Sequence, residues 1–179
     1  AYRNLRLNQK KRYMLSAQLS YDITDWLNIS GRVRVDNTHT KYEQKLYASS
    51  NLTITEESTQ GHYTISKPDE TQTYADVLAN INKRFNDFSL VANVGASIVN
   101  NRYEDLSYRG PIREKGIPNV FNVFDLDNTK KKARQDEWQE QTQSVFASVE
   151  VGWKSMLYLT LTGRNDWASQ LLGSSQTSF

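Results

Sequence analysis

The chain has no cysteine and only three prolines among its 179 residues. Without cysteine there is no disulfide, no thiolate metal site and no cysteine nucleophile. A run of about 20 apolar residues is also missing, which excludes a membrane-spanning helix. The net charge of +2 is too small to point to nucleic acid as a partner. With a mean hydropathy of −0.71, the chain is either a polar soluble domain or a transmembrane β-barrel, whose signal is weak on any hydropathy average.

Motifs for catalysis or for a bound cofactor are missing as well. The sequence has no Gly-rich phosphate loop and no GxSxG nucleophile elbow. Its two histidines, His39 and His62, lack HExxH-like spacing. Glu43, Glu56 and Glu57 are conceivable as further metal ligands, but no known ligand motif includes them. We therefore predict that the protein is not an enzyme and binds neither a metal nor a cofactor.

What the sequence does have is strict alternation of apolar and polar residues. In residues 13–21 the odd positions are Tyr, Leu, Ala, Leu and Tyr, and residues 27–35 repeat the alternation after a turn at 22–26. Period-two alternation on both sides of a short turn predicts a β-hairpin. Aromatic residues make up 11% of the chain, and they favour strands.

Two further hairpins follow the same pattern. One turns near Asn86 and Asp87, and the other turns at Lys154 and Ser155. With the first they predict six strands in an all-β, antiparallel up-and-down meander. The predicted hairpins are at about 12–37, 73–100 and 140–166.

The predicted connections alternate in length, because the turns inside the hairpins are short and the loops between the hairpins are long. These loops run from about 38 to 72 and from about 101 to 139. A compact soluble domain rarely carries structureless loops of that length, whereas short periplasmic turns with long extracellular loops are typical of outer-membrane barrels. The four tryptophans fall at strand ends, as expected at the two membrane interfaces.

The energetic cost of charge assigns the two faces of such a sheet. An arginine at the bilayer midplane costs roughly 2–4 kcal/mol, so the apolar face is predicted to contact lipid and the polar face to line the lumen. Lys83 is in line with an apolar face, but it lies beside a short turn, where its amine can reach the interface. The predicted lumen-facing residues are Arg32, Arg34, Asn80, Asn82, Asn93, Glu150 and Arg164.

A soluble or secreted β-sandwich explains the alternation equally well, since each of its sheets has one wet face. Such a protein would be a carbohydrate-binding module with aromatic sugar contacts. The alternation of short turns with long loops, and the position of the tryptophans at strand ends, favour the barrel.

Recognisable family motifs lie in the C-terminal third. The run SVFASVEVGWKSMLYLTLTGRNDW at 144–167, with LTGRNDW at 161–167, resembles the barrel of SusC/RagA-type TonB-dependent transporters of Bacteroidetes outer membranes. SYDITDWLN at 20–28 resembles a second recurrent segment of that family, and YEQKLYA at 42–48 and GIPNVF at 116–121 match in part. The order and spacing of all four fit, so the resemblance covers nearly the whole chain.

The resemblance implies part of a 22-stranded barrel in the bacterial outer membrane. It also implies import of glycans or peptides, energised by TonB and assisted by a SusD-like surface lipoprotein. Plug and N-terminal domains of the family are not found in these residues, so we expect an internal section of the barrel, in contact with outer-membrane lipid. Residues 171–178 do not alternate ahead of Phe179, so we expect the section to stop before the family's last strand.

Aromatic residues in the predicted loops are the candidates for ligand contact, because flat rings stack on sugar faces. These candidates are Tyr42, Tyr47, Tyr63, Tyr103 and Tyr108.

Overall fold

The computed structural model of the protein describes residues 4–169, which are mostly β-strand. The non-alternating residues 171–178 and Phe179 lie outside the described residues. Within the described part, no helix has the length and apolar character needed to cross a membrane. The strands are β1 (Leu5–Thr24), β2 (Leu27–Tyr47), β3 (Gly61–Ser66), β4 (Asp69–Phe85), β5 (Phe88–Pro111), β6 (Lys132–Trp153) and β7 (Leu157–Ala168).

All seven strands belong to one antiparallel sheet with the order β1-β2-β3-β5-β6-β7. Strand β4 also pairs with β2 and β5, so β3 and β4 share one position in the sheet. The Thr40 N–H donates to the Pro68 carbonyl at 2.9 Å, which continues the register of the Tyr42–Ser66 pair. Pro68 has no N–H to donate, which interrupts the ladder there. The predicted all-β, antiparallel meander is confirmed, with one of its six strands divided in two.

The short turns lie where alternation predicted them. The second turn is at Asn86 and Asp87, and the third begins with Lys154 and Ser155. Asn86, Lys154 and Ser155 have positive φ angles of 47°, 49° and 56°, the left-handed backbone that tight hairpin turns require. The first turn is shorter than the predicted 22–26, because β1 continues to Thr24.

The strands are longer than the alternation indicated, so the predicted bounds of the two long loops are wrong. β2 runs to Tyr47, β4 begins at Asp69, β5 runs to Pro111 and β6 begins at Lys132. The connections between strands shrink to residues 48–60 and 112–131. The reason is that ladder hydrogen bonds do not depend on side-chain polarity, whereas alternation is invisible where both faces of a strand are polar.

The chain forms two compact units. Unit 1 comprises the described residues of Ala1–Tyr13, Asn37–Glu70 and Arg102–Trp138, and unit 2 those of Met14–Asp36, Thr71–Asn101 and Gln139–Phe179.

Unit 2 leaves many large apolar side chains exposed at alternate positions along its strands. Leu19 is 82% exposed and Leu161 is 66% exposed. Others of this kind are Leu15, Tyr21, Val33, Val94, Val145, Leu157 and Leu159. On the other face of the unit, polar side chains bond to one another, and Gly95 lies against the Phe146 ring, where a Cβ would come within 2.5 Å of Cζ. The apolar and polar faces of unit 2 are therefore distinct.

Unit 1 has a small core of its own. Ile112 and Leu126 form an isolated β-bridge, and each is 1% exposed. Thr55 is fully buried, and the Ser58 hydroxyl donates to the Ile112 carbonyl at 2.8 Å. Segments 48–60 and 112–131 are thus packed against each other rather than structureless, because each carries a few side chains that reach this core.

Candidate ligand-binding surfaces

The polar face of unit 2 is held together by side-chain hydrogen bonds. Arg32 donates from Nε to Oδ2 of Asp76 at 2.9 Å, and its Nη2 lies 2.7 Å from the same oxygen. The guanidinium carbons of Arg32 and Arg34 lie 5.3 and 5.5 Å from the centre of the Tyr74 ring. Arg34 also donates to Gln72 at 3.4 Å. Two cations therefore lie within cation–π distance of one aromatic ring.

Three of the remaining predicted lumen residues make side-chain hydrogen bonds of their own. Asn80 donates to Asn28 at 3.3 Å, and Glu150 accepts from the Thr160 hydroxyl at 3.1 Å. Arg164 pairs with Asp166 at 2.9 Å and donates to the Ser144 hydroxyl at 3.2 Å. By strand alternation, Asn82 shares a face with Asn80 and Asp76, and Asn93 shares one with Gly95. All seven predicted residues lie in unit 2.

Lys83 lies in line with the apolar positions of β4, as the alternation indicated. The Nζ atom of Lys83 lies 4.7 Å from the centre of the Trp26 ring and 5.1 Å from that of Phe85. A lysine over two rings keeps its stem on apolar surface and its amine near water.

Among the predicted ligand aromatics, Tyr63 is buried and the others are half-buried. Tyr63 is 3% exposed, and its ring lies 6.1 Å from that of Phe121. Tyr47 meets Phe121 edge to face at 5.0 Å. Because Tyr63 is buried in the core of unit 1, its ring face is not open to a ligand. Tyr103 is stacked on Trp138 at 5.6 Å.

The hydroxyl of Tyr63 makes a short hydrogen bond inside unit 1. It donates to Oε1 of Glu43 at 2.6 Å, and Lys41 lies 3.0 Å from Oε2 of the same carboxylate. The bond from Tyr63 lowers the pKa of Glu43, and Lys41 and Lys45 lower it further. Burial first, and then the Glu43 carboxylate, raise the pKa of Tyr63. The remaining candidates, Tyr42 and Tyr108, are half-buried at the surface of the same unit.

A cleft of about 780 Å³ opens in unit 1, lined by strands β1, β2, β3 and β5 and by segment 48–60. Its polar lining includes two arginines, Arg6 and Arg109. Oε1 of Glu56 lies 3.8 Å from Nη2 of Arg109 and 3.6 Å from Nε2 of His62. The sequence offered His62 and Glu56 only as weak metal candidates. It gave no signal for the two arginines, which strand pairing brings together from opposite parts of the chain.

His62 is buried beside this cleft, and burial lowers the pKa of its imidazole, so the ring is mainly neutral at pH 7. Its Nδ1 has no hydrogen-bond partner in the described part of the chain. His39, the other histidine, lies 2.7 Å from Asp69. Within residues 4–169, no group of three or more histidine and carboxylate side chains is arranged to hold a metal ion.

Comparison with known proteins gives a likeness in fold alone. No protein-family model matches the sequence, and no curated protein matches it either. A solved structure of the RagAB peptide transporter matches 92% of this chain with a TM-score of 0.78 at 12% identity. The RagAB peptide importer in its open-open and closed-closed states matches 93%, with TM-scores of 0.77 and 0.72 at 13% identity. This chain spans 18% of the length of each of these structures.

Proposed function

We propose that the chain is a section of the membrane-spanning barrel of a SusC/RagA-type, TonB-dependent importer in the bacterial outer membrane. The observation that carries the proposal is the apolar face of unit 2, where side chains such as Leu15 (77% exposed) and Leu159 (61% exposed) are open to the surroundings. Soluble monomers rarely expose contiguous apolar patches of more than a few hundred square ångströms. Lipid tails are the natural cover for such a face, and the polar face is then left for an aqueous lumen.

The alternative function, a soluble carbohydrate-binding sandwich, needs a second sheet over the apolar face. The residues that the structure describes form a single sheet. The position of Lys83 over Trp26 and Phe85 also favours lipid, because a cation on an aromatic pair is the expected pattern at a membrane interface.

Two observations support the proposed cargo and partners. Motif resemblance supports energy from TonB and a SusD-like surface lipoprotein as partner. Fold likeness to proteins described as peptide transporters favours peptides over oligosaccharides as the cargo.

The test is fractionation of cells that produce the intact protein, followed by an uptake assay. We expect the protein in the outer-membrane fraction, released only by detergent, with faster gel migration before heating than after it. Cells without the protein should lose uptake of labelled short peptides, and a protonophore should abolish uptake in cells that have it. Full solubility without detergent, together with a single compact species, contradicts the proposal and supports the sandwich.

A further inference from the structure

The unit 1 cleft has a chemistry that the import proposal leaves unassigned. Its ten lining residues combine two guanidiniums, one carboxylate, several neutral polar groups and two apolar side chains, all within unit 1. They are Asn4, Arg6, Gln44, Leu46, Thr53, Ile54, Glu56, His62, Thr64 and Arg109. At about 780 Å³, the cleft has the size of an ordinary small-molecule site.

Positive charge prevails in the cleft because its cations are incompletely neutralised. With its oxygen facing Arg6, the Gln44 amide accepts hydrogen bonds from Nε and Nη2 at 3.2 and 3.3 Å. Within residues 4–169, Arg6 is thus held by an amide rather than by a carboxylate. Arg109 has a carboxylate nearby, but the distance from its Nη2 to Oε1 of Glu56 is 3.8 Å and its side chain is 54% exposed.

Glu56 contacts both His62 and Arg109, so Arg109 remains available to another carboxylate. Its Oε1 lies 3.6 Å from the buried ring of His62, and neither contact is as short as a charge-assisted hydrogen bond of about 2.7–2.9 Å. An incoming carboxylate that binds Arg109 in a two-pronged geometry therefore meets little competition. The planar fork of arginine matches a carboxylate in that geometry.

We propose that this cleft is a subsite for the carboxylate of an imported short peptide, bound between Arg6 and Arg109; this inference rests on the proposed import function. Leu46 and Ile54 supply an apolar wall for the side chain of the peptide's terminal residue. Thr64 also lines the cleft, and its hydroxyl is a further potential donor. An apolar wall beside a guanidinium fits the C-terminal residue of a peptide, which carries an apolar side chain and a carboxylate. It fits a uronic acid less well, because both faces of that sugar are polar.

The experiment measures binding by calorimetry, with the intact protein purified in detergent. The probes are trileucine with a free carboxylate, trileucine with a C-terminal amide, and trigalacturonate. The variants are Arg6→Gln, Arg109→Gln and Glu56→Gln. The matched control is Arg134→Gln, which removes the same charge from a side chain that is 76% exposed, pairs with Asp136 and lies outside the cleft.

We expect each cleft arginine variant to bind free trileucine about tenfold more weakly, since a hydrogen bond to a charged group is worth about 1.5–3 kcal/mol and 1.4 kcal/mol is tenfold. Arg134→Gln should bind like the unmodified protein. Glu56→Gln should bind the free peptide more tightly, because it removes the carboxylate that competes for Arg109. The amidated peptide should bind weakly to every variant.

Three results overturn the inference. The first is equal binding of free and amidated trileucine, and the second is unchanged binding in Arg6→Gln and Arg109→Gln. The third is arginine-dependent binding of trigalacturonate without binding of trileucine, which assigns the cleft to acidic glycans. Because calorimetry does not require transport, failure of the import proposal is seen separately, as unchanged peptide uptake in cells without the protein.

Discussion

The hydroxyl of Tyr63 donates to Oε1 of Glu43 across 2.6 Å, and both side chains are buried. The two residues lie on neighbouring strands, β3 and β2, and the Tyr63 ring packs near Phe121 of segment 112–131. Through this bond and the ring contact, Tyr63 links β2, β3 and segment 112–131 of unit 1.

Replacing Tyr63 with phenylalanine should destabilise unit 1. The ring stays and Lys41 still contacts Oε2 of Glu43, but Oε1 loses its short hydrogen bond, and a buried polar atom left without its partner costs about 1–3 kcal/mol. Thermal unfolding of the intact protein in detergent measures the loss. Tyr42→Phe is the control, since its hydroxyl lies 3.5 Å from the Gln44 amide in a half-buried position and it should change stability much less. Equal unfolding temperatures for the two variants would contradict the role of this bond.

Stability should fall in acid in a way that depends on Glu43. The Tyr63 hydroxyl lowers the pKa of Glu43 below its unfolded value of 4.5. A carboxyl whose folded pKa is depressed stabilises the fold above the unfolded pKa, and this contribution is lost as pH falls from about 4.5 through the folded pKa. Unfolding temperatures between neutral pH and pH 3 should show a steeper decline for the unmodified protein than for Glu43→Gln. Glu137→Gln, at an exposed carboxylate, should keep the steep decline.

Gly95 should not tolerate a side chain unless the neighbouring ring is reduced. A Cβ at this position would lie 2.5 Å from Cζ of Phe146 and 3.0 Å from the Val77 carbonyl oxygen. Gly95→Ala should therefore cost about 1–3 kcal/mol, as overpacked cores do. The double variant Gly95→Ala, Phe146→Leu should recover part of that loss. If the loss of stability in the double variant equals the sum of the losses in Gly95→Ala and Phe146→Leu alone, the ring is not what excludes the methyl group.

Neighbouring residues of β7 provide a test of which face contacts lipid. Leu161 lies on the exposed apolar face, further from the short turn than Leu157 and Leu159, whereas Thr160 bonds to Glu150 on the polar face. An arginine on the lipid face costs roughly 2–4 kcal/mol near the midplane, so Leu161→Arg should reduce the amount of heat-modifiable protein in the outer membrane. Thr160→Arg should assemble normally, since the new cation can pair with Glu150. Normal assembly of both variants would argue against a lipid-facing Leu161.

The sequence was sufficient for the strands of unit 2 because their two faces differ in polarity. Alternation around Asn86 and around Lys154 located two turns correctly, and the meander followed from them. It failed from Asn37 to Tyr47, where β2 continues with polar residues on both faces. In that stretch the backbone hydrogen bonds between strands stabilise β2. These bonds do not depend on side-chain polarity, so the sequence pattern does not indicate them.

The candidate surfaces were harder to predict than the strands, because burial and pairing over long distances decide them. Tyr63 resembles an exposed loop aromatic in sequence, but it is one of the most buried side chains of unit 1. Arg6 and Arg109 share a cleft only because β1, β2, β3 and β5 are neighbours in the sheet. No local motif records that proximity.

The small core of unit 1 limits where evolution can change its connecting segments cheaply. Substitutions at Ile112, Leu126 or Thr55 disturb packing that both segments share, so these positions should vary little among related proteins. Ile117 and Phe124 are 72% and 83% exposed and take no part in that core. Sequence divergence is therefore expected first at such exposed positions, while the packing of the core is retained.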